Sequence, residues 1–331
     1  MLSSKWTSQG MILDDVDPGP IAPGRVRISV NACGICGSDL HVYAGRSPRK
    51  RDVVMGHEIV GTIADGGPGL PDSLYAIEPL DACLDCRYCA TGATNICPNM
   101  KFIGIDEPGG LAESIDVPTH TLHPVPDSLP FLLASLVEPM ACSYRGIALA
   151  RLKIESRVLV LGAGTIGLFA GLLARDRAAE VAITARHPQQ ADAARRLGLT
   201  PLSESEWEDW ARDRQPDAVI ETVGGEADTI NDAIKAAQPE GRIVIVGIFT
   251  APSQVDGLAL VVKEVDIVGS SMYGVGVHGR EFASTVDALA RYSSEVGFMQ
   301  THRFPLTDVT QAFDTALDKS SGAIKVTVLP G

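Results

Sequence analysis

The second half of the chain repeats one pattern: a short run of β-branched and aliphatic residues, then a longer stretch of helical composition. RVLVL at Arg157–Leu161 and EVAIT at Glu180–Thr184 are such runs, and others fall at 217–221, 241–247 and 265–269. Residues Thr165–Arg175, 188–197 and 227–237 supply the intervening helical stretches. Apolar strands separated by helices predict a parallel, doubly wound α/β sheet. The first third has a different texture. Residues 26–30 and 59–63 are short strand-like runs, another begins at Ile77, and Gly- and Pro-rich breaks fall at 66–69 and 108–110. This predicts a compact β-rich domain with long loops, giving way near Leu136 to the alternating pattern. Beyond Tyr273 the pattern loosens into one amphipathic helix at 281–292 and short segments.

The chain has 331 residues, enough for two domains, and its 45% hydrophobic and 21% charged content is ordinary for a soluble globular protein. A net charge of −13 argues against a groove for phosphodiester backbone, so nucleic acid is not an expected partner. No apolar run reaches the roughly eighteen residues of a membrane span. The longest candidate, 158–174, is broken by four glycines, and no membrane partner is expected. The first thirty residues carry no basic segment, apolar core and cleavage site of the secretory kind, which points to the cytoplasm.

Four of the seven cysteines form a C-x2-C-x2-C-x7-C run: Cys83, Cys86, Cys89 and Cys97. Four thiolates crowded on one loop make a tetrahedral cage, and closed all-thiolate zinc sites are structural rather than catalytic. The competing reading is a disulfide knot, which needs an oxidising compartment. Cys33, Cys36 and Cys142 remain as thiols outside the run.

Directly after the RVLVL run, Gly162, Gly164 and Gly167 form G-x-G-x-x-G at the opening of a helical stretch, the context of the dinucleotide fingerprint. The first glycine makes the turn, the second lets backbone approach a pyrophosphate, and the third lets helix pack on strand. Thr165 and Ile166 complete the loop, and Val223, just past one later strand, and Gly247, at the end of the next, are further expected cofactor contacts. An acidic residue after the second strand would bind the ribose 2′-hydroxyl of NAD, whereas an arginine suits the 2′-phosphate of NADP. Here Ala185, Arg186 and His187 follow Thr184, so NADP(H) is favoured over NAD(H).

Three further segments read as metal ligands: CGICGSDLH from Cys33 to His41, GHE at Gly56, His57 and Glu58, and VEPMAC, which holds Glu138 and Cys142. A cysteine, a histidine and a carboxylate or thiolate, with the fourth position open, is the arrangement of a catalytic zinc.

Taken together and in this order, GICGSDLH, GHE, the cysteine run, VEPMAC and VLVLGAGTIG resemble the zinc-dependent medium-chain dehydrogenases, in the branch of sorbitol, other polyol and threonine dehydrogenases. The resemblance covers nearly the whole chain. It implies a GroES-like catalytic domain at 1–141 with a zinc lobe near 80–100, a Rossmann domain at 142–273, and a segment at 274–331 that returns to the catalytic domain, the active site lying in the cleft between the domains. It implies two zinc ions per chain. Cys36 and His57 would hold the catalytic ion, with Glu138 as third ligand, directly or through water, and Cys142 as its rival. Glu58 would sit beside the metal, Asp39 would orient His57, and Ser38 and His41 would relay protons. The chain departs from the branch in lacking a GDRV turn, with Pro71-Asp-Ser-Leu-Tyr in its place, and in lacking a basic residue in GSSMYG after the last strand.

Zinc lowers the pKa of bound water from about 15.7 to about 7, and the same acidity would help an alcohol lose its proton before hydride leaves carbon. The expected substrate is a small alcohol or ketone, and the resemblance suggests a homodimer or homotetramer paired through the edge strand near 262–268. A catalytically inactive dinucleotide-binding or regulatory protein on the same scaffold is the alternative, as is an NAD-dependent polyol or threonine-type dehydrogenase. Arg46, Arg49, Lys50 and Arg51 form a basic run that would either attract an anionic substrate or be a solvated loop.

Overall fold

The computed structural model of the protein describes residues 1–7, 10–46 and 52–331. The chain divides into two units, Met1–Glu138 with Gly274–Gly331, and Pro139–Tyr273. The division falls inside the helix Val137–Ala150, three residues before the 141/142 boundary expected from sequence. That helix runs without a break through the VEPMAC motif, so no loop marks the change of unit.

The first unit is built on a seven-stranded sheet around the strand Arg25–Gly34. Val26, Ile28 and Val30 alternate inward along it and are buried with Ile59, Ile77 and Val117. Burying one such side chain is worth about 1.5–3 kcal/mol. One neighbour is Glu58–Asp65, antiparallel from Arg27↔Asp65 to Gly34↔Glu58. On the other side two strands lie end to end: Ser114–Pro118 pairs with residues 25–29, and the C-terminal strand Lys325–Leu329 pairs with Cys33 and Gly34. The last residues of the chain thus enter the sheet next to the CGIC motif. Leu2–Thr7 and Gly10–Asp15 form a separate antiparallel pair that sequence reading did not anticipate.

The second unit holds six parallel strands in the order Thr200–Leu202, Glu180–Thr184, Arg157–Leu161, Ala218–Glu221, Arg242–Ile245, Asp266–Gly269. The order reverses beside Arg157–Leu161, the switch point at which dinucleotides bind in such sheets. Five of these strands are the apolar runs read from sequence. Thr200–Leu202 was missed because it is three residues long with a central proline, a composition tolerated at a sheet edge. The amphipathic helix expected at 281–292 extends to Val296.

Candidate metal and cofactor sites

Cys83, Cys86, Cys89 and Cys97 lie around the short helix Arg87–Ala90 and the 3-10 turn Thr94–Ile96. Their Sγ atoms are 3.4 Å apart for Cys83 and Cys97, 3.6 Å for Cys86 and Cys89, 3.8 Å for Cys86 and Cys97, and 4.0 Å for Cys83 and Cys89. A regular tetrahedron with Zn–S bonds of 2.3 Å has edges of about 3.8 Å, whereas a disulfide brings its sulfurs to about 2.05 Å. All four thiols are free, and the cage fits zinc. Backbone amides of Asp85 and Cys86 pull the Cys83 pKa down to about 6, while burial and the neighbouring thiols push that of Cys89 up to about 12, so the sulfurs titrate as a set. Among the described residues this is the single group of three or more His, Cys, Asp or Glu side chains whose ligand atoms all lie within 4.8 Å of one another.

The second constellation is assembled by local structure and by the sheet. Cys36 caps the helix Gly37–Tyr43, and its amide donates to Asp39 Oδ2 at 3.0 Å. Asp39 therefore braces the turn that carries Cys36, while its other oxygen lies 3.5 Å from His57 Nδ1. That separation is long and poorly aligned, leaving Nδ1 buried without a formal hydrogen bond. His57 Nε2 lies 3.5 Å from Ser38 Oγ, and the ring meets Phe102 edge-on at 5.3 Å. Burial disfavours a charged His57, yet the nearby Asp39 carboxylate and Cys36 sulfur raise its pKa well above the ordinary value. An imidazole crowded by a carboxylate and a thiol in a dry site is the environment a divalent cation would satisfy. Sulfur with imidazole nitrogen is also a donor set suited to zinc, so these residues fit the ion. Burial, then the positive charges of Arg46 and Lys319, lower the pKa of His41, which keeps its imidazole neutral near pH 7.

Glu138 is buried in the first turn of Val137–Ala150, and its charge helps raise the pKa of Lys325. Cys36, His57 and Glu138 do not, however, meet the 4.8 Å separation that the four cysteines do. Cys33 lies in the apolar core with its Sγ over Gly56, where an added Cβ would be 2.5 Å from the sulfur.

Sequence reading missed Lys325. Its side chain is 4% exposed, and its ammonium donates to both oxygens of Glu58, at 2.5 and 2.7 Å, and to the Ile35 carbonyl at 3.1 Å. The available signal was a lone lysine inside the β-branched run IKVTVL. Arg49, Lys50 and Arg51 of the basic run lie outside the described residues.

In the second unit, Gly162 takes a φ of +97° and its amide donates to Thr184 Oγ1 at 2.8 Å, tying the glycine loop to the second strand. A Cβ at Gly167 would lie 1.8 Å from the Gly162 carbonyl, the close helix–strand approach that the third glycine permits. At Gly164, the cap of the helix Thr165–Arg175, a Cβ would meet nothing within 4 Å, so the middle position faces open space. Thr165 and Ile166 begin that helix, whose N-terminus favours negative charge. This cradle fits a dinucleotide. Beyond the second strand, the amides of Arg186 and His187 donate to Gln190 Oε1, and the Arg186 side chain is exposed beside Ala185.

Two residues that sequence reading passed over brace this end of the sheet. Thr222 Oγ1 donates to the carbonyls of Leu161 (2.7 Å) and Gly162 (3.0 Å). Glu221 Oε1 accepts from the amides of Val223 (2.7 Å) and Gly224 (2.9 Å). Its Oε2 lies where a Cβ on Gly247 would be 2.4 Å away.

Residues 22–127 match the alcohol dehydrogenase GroES-like domain, and residues 165–291 match the zinc-binding dehydrogenase domain. The 2-dehydro-3-deoxy-L-galactonate 5-dehydrogenase of Pseudoalteromonas atlantica is 30% identical over 90% of this chain and 90% of its own length. A zinc-binding dehydrogenase of Sinorhizobium meliloti bound to NADP superposes with a TM-score of 0.88 at 26% identity, covering 100% of both chains. An Escherichia coli protein described as a short chain alcohol dehydrogenase, complexed with NADH, gives 0.89 at 25% identity, covering 100% of this chain and 99% of its own. The cysteine cage, the glycine cradle and these likenesses agree: the chain belongs to the zinc-type medium-chain alcohol dehydrogenases, in the polyol and threonine dehydrogenase branch, and is an NAD(P)-dependent enzyme of that class.

Proposed function

We propose that the protein moves a hydride between a secondary alcohol or polyol, or the corresponding ketone, and a nicotinamide cofactor, in a zinc-dependent reaction with NADP(H) favoured over NAD(H). The observation that carries this reading is the placement of buried His57 against the helix that Cys36 caps, its Nε2 3.5 Å from Ser38 Oγ and its Nδ1 3.5 Å from Asp39, which also binds the Cys36 amide. Cys36 and His57 hold the catalytic ion with Glu138 as the third ligand, and the four cysteines hold a structural one. When bound, zinc supplies Lewis acidity to the substrate oxygen and the nicotinamide ring exchanges the hydride. The chain's own work is positioning and proton transfer. The Ser38 hydroxyl, within reach of His57, hydrogen-bonds the substrate oxygen. His41, three residues on along the same helix and neutral near pH 7, carries the proton toward solvent. Lys325 holds Glu58 by both oxygens and so fixes the residue after His57. Gly162, Gly164 and Gly167 cradle the pyrophosphate, and Arg186 faces the 2′-phosphate.

Support for a polyol or sugar-acid substrate comes from the relatives, among them the galactonate-derivative dehydrogenase described above. Support for a dimer or tetramer comes from the edge strand Asp266–Gly269 and the preceding helix Gly257–Lys263, whose Leu258, Val261 and Val262 are exposed. We place the protein in the cytoplasm; no helix among the described residues is long and apolar enough to cross a membrane.

The test is a panel of alcohols, polyols and ketones with NADP(H) and NAD(H), run with zinc quantified. Two zinc ions per chain and alcohol-dependent NADP reduction are expected. Cys36→Ser and His57→Ala should abolish turnover while NADPH still binds; wild-type rates in either would refute the zinc role.

A further inference from the structure

The third strand of the dinucleotide-binding sheet delivers a carboxylate to the place where the second strand lacks one. Thr184 pairs with Leu202, and the Ala185 amide donates to the Leu202 carbonyl at 2.8 Å, so the two chains leave the sheet side by side. The loop that follows, Ser203-Glu204-Ser205-Glu206, carries two acids with different fates. Glu206 turns back on its own loop, accepting from the Ser203 amide at 2.8 Å and the Ser203 hydroxyl at 2.6 Å. This closes the turn and directs Glu204 outward, where its Oε1 accepts from Arg186 Nε at 2.7 Å. Both side chains are 72% exposed, so the pair is open to rearrangement when a ligand arrives.

We infer that Glu204 is a carboxylate that tunes cofactor preference at the adenosine ribose. It opposes the 2′-phosphate of NADP(H) and serves the 2′-hydroxyl of NAD(H) in place of the acid that Ala185 has displaced. Two effects act in the same direction. A phosphate that engages Arg186 must approach a guanidinium already neutralised by a carboxylate, and it meets that carboxylate's like charge. A 2′-hydroxyl meets an acceptor instead, the role an acidic residue after the second strand has in NAD-binding sheets. Exposed ion pairs are worth little individually, so the effect is a modulation of the preference and not its source.

This inference rests on the reading that Arg186 receives the 2′-phosphate, and the experiment separates the two. Dissociation constants for NADPH and NADH are measured by fluorescence titration on the zinc-loaded wild type and on Glu204→Gln, Arg186→Ala and Asp192→Asn. Asp192→Asn is the control for net charge, because it removes an exposed carboxylate that pairs with Arg195. The expected result is that Glu204→Gln raises the ratio of the NADH to the NADPH constant by about two- to fivefold, the range of an exposed ion pair. Asp192→Asn should leave that ratio unchanged. An unchanged or lower ratio in Glu204→Gln, or an equal rise in Asp192→Asn, overturns the inference. Arg186→Ala reports on the underlying reading separately: NADPH binding should weaken at least about tenfold, as loss of a charge-assisted phosphate contact requires. If it does not, Arg186 is not the phosphate ligand, whatever Glu204→Gln does.

Discussion

Lys325 grips both carboxylate oxygens of Glu58, with its Nζ at 2.5 and 2.7 Å and both residues buried. The two lie 267 residues apart in sequence, on the C-terminal strand and on the strand that follows His57. A Cβ on Gly34 would come within 1.9 Å of Glu58 Oε2, so a glycine there leaves room for the pair. Burial disfavours the lysine's charge, but Glu58, the Cys36 sulfur and Glu138 outweigh it and raise its pKa.

Breaking that pair from one side should be costly. Lys325→Met strands a buried carboxylate, and a loss of about 3–5 kcal/mol is expected. The double substitution Glu58→Gln with Lys325→Met should lose less than Lys325→Met alone, because no uncompensated charge remains. Denaturant titration of the three proteins measures both quantities; a double mutant as unstable as the single one would contradict this account.

Replacing a cage cysteine should act on folding before chemistry. Cys86→Ser removes a sulfur that lies 3.6 Å from Cys89 and 3.8 Å from Cys97. One zinc per chain should be lost and the melting temperature should fall, since structural zinc contributes directly to folding. Metal analysis with thermal unfolding checks both. Full stability with one zinc missing would show that the lobe does not depend on its ion.

The glycine loop separates two effects of one methyl group. Gly167→Ala forces a Cβ to within 1.8 Å of a backbone carbonyl, so a loss of about 1–3 kcal/mol is expected along with weaker cofactor binding. Gly164→Ala meets no atom within 4 Å and should leave stability unchanged while weakening NADPH, because the methyl occupies the space through which a pyrophosphate approaches. Unfolding curves paired with NADPH titration distinguish the two. Unaltered NADPH affinity in Gly164→Ala would rule out this pyrophosphate cradle.

Glu107 makes the stability of the first unit depend on pH. Burial works to raise its pKa, but hydrogen bonds from Arg25 and Lys101 prevail and hold it below the ordinary value. Its contribution to stability is therefore present above the unfolded-state pKa and lost as pH falls through the lower, folded-state one. Glu107→Gln should cost about 1 kcal/mol or less at neutral pH, with the difference from wild type closing in acid. Stability measured at pH 7 and below pH about 3.5 tests the sign; a gap that widens in acid would exclude the proposed coupling.

Local pattern determined much of this protein. The β-branched runs marked five of the six Rossmann strands because strands buried on both faces must be apolar throughout, and the cysteine spacing marked the metal cage because one loop supplies all four sulfurs. The glycine fingerprint was legible for the same reason: its steric demands are met within a few residues. What tertiary structure alone decided are the relationships between distant segments. Lys325 reaches Glu58 because the last strand pairs beside Cys33 and Gly34, and Glu204 reaches Arg186 because a three-residue edge strand with a central proline pairs beside Thr184. No spacing rule connects these residues, since the contacts follow from strand order and register, which are set by the burial of whole sheet faces and not by any short stretch of sequence.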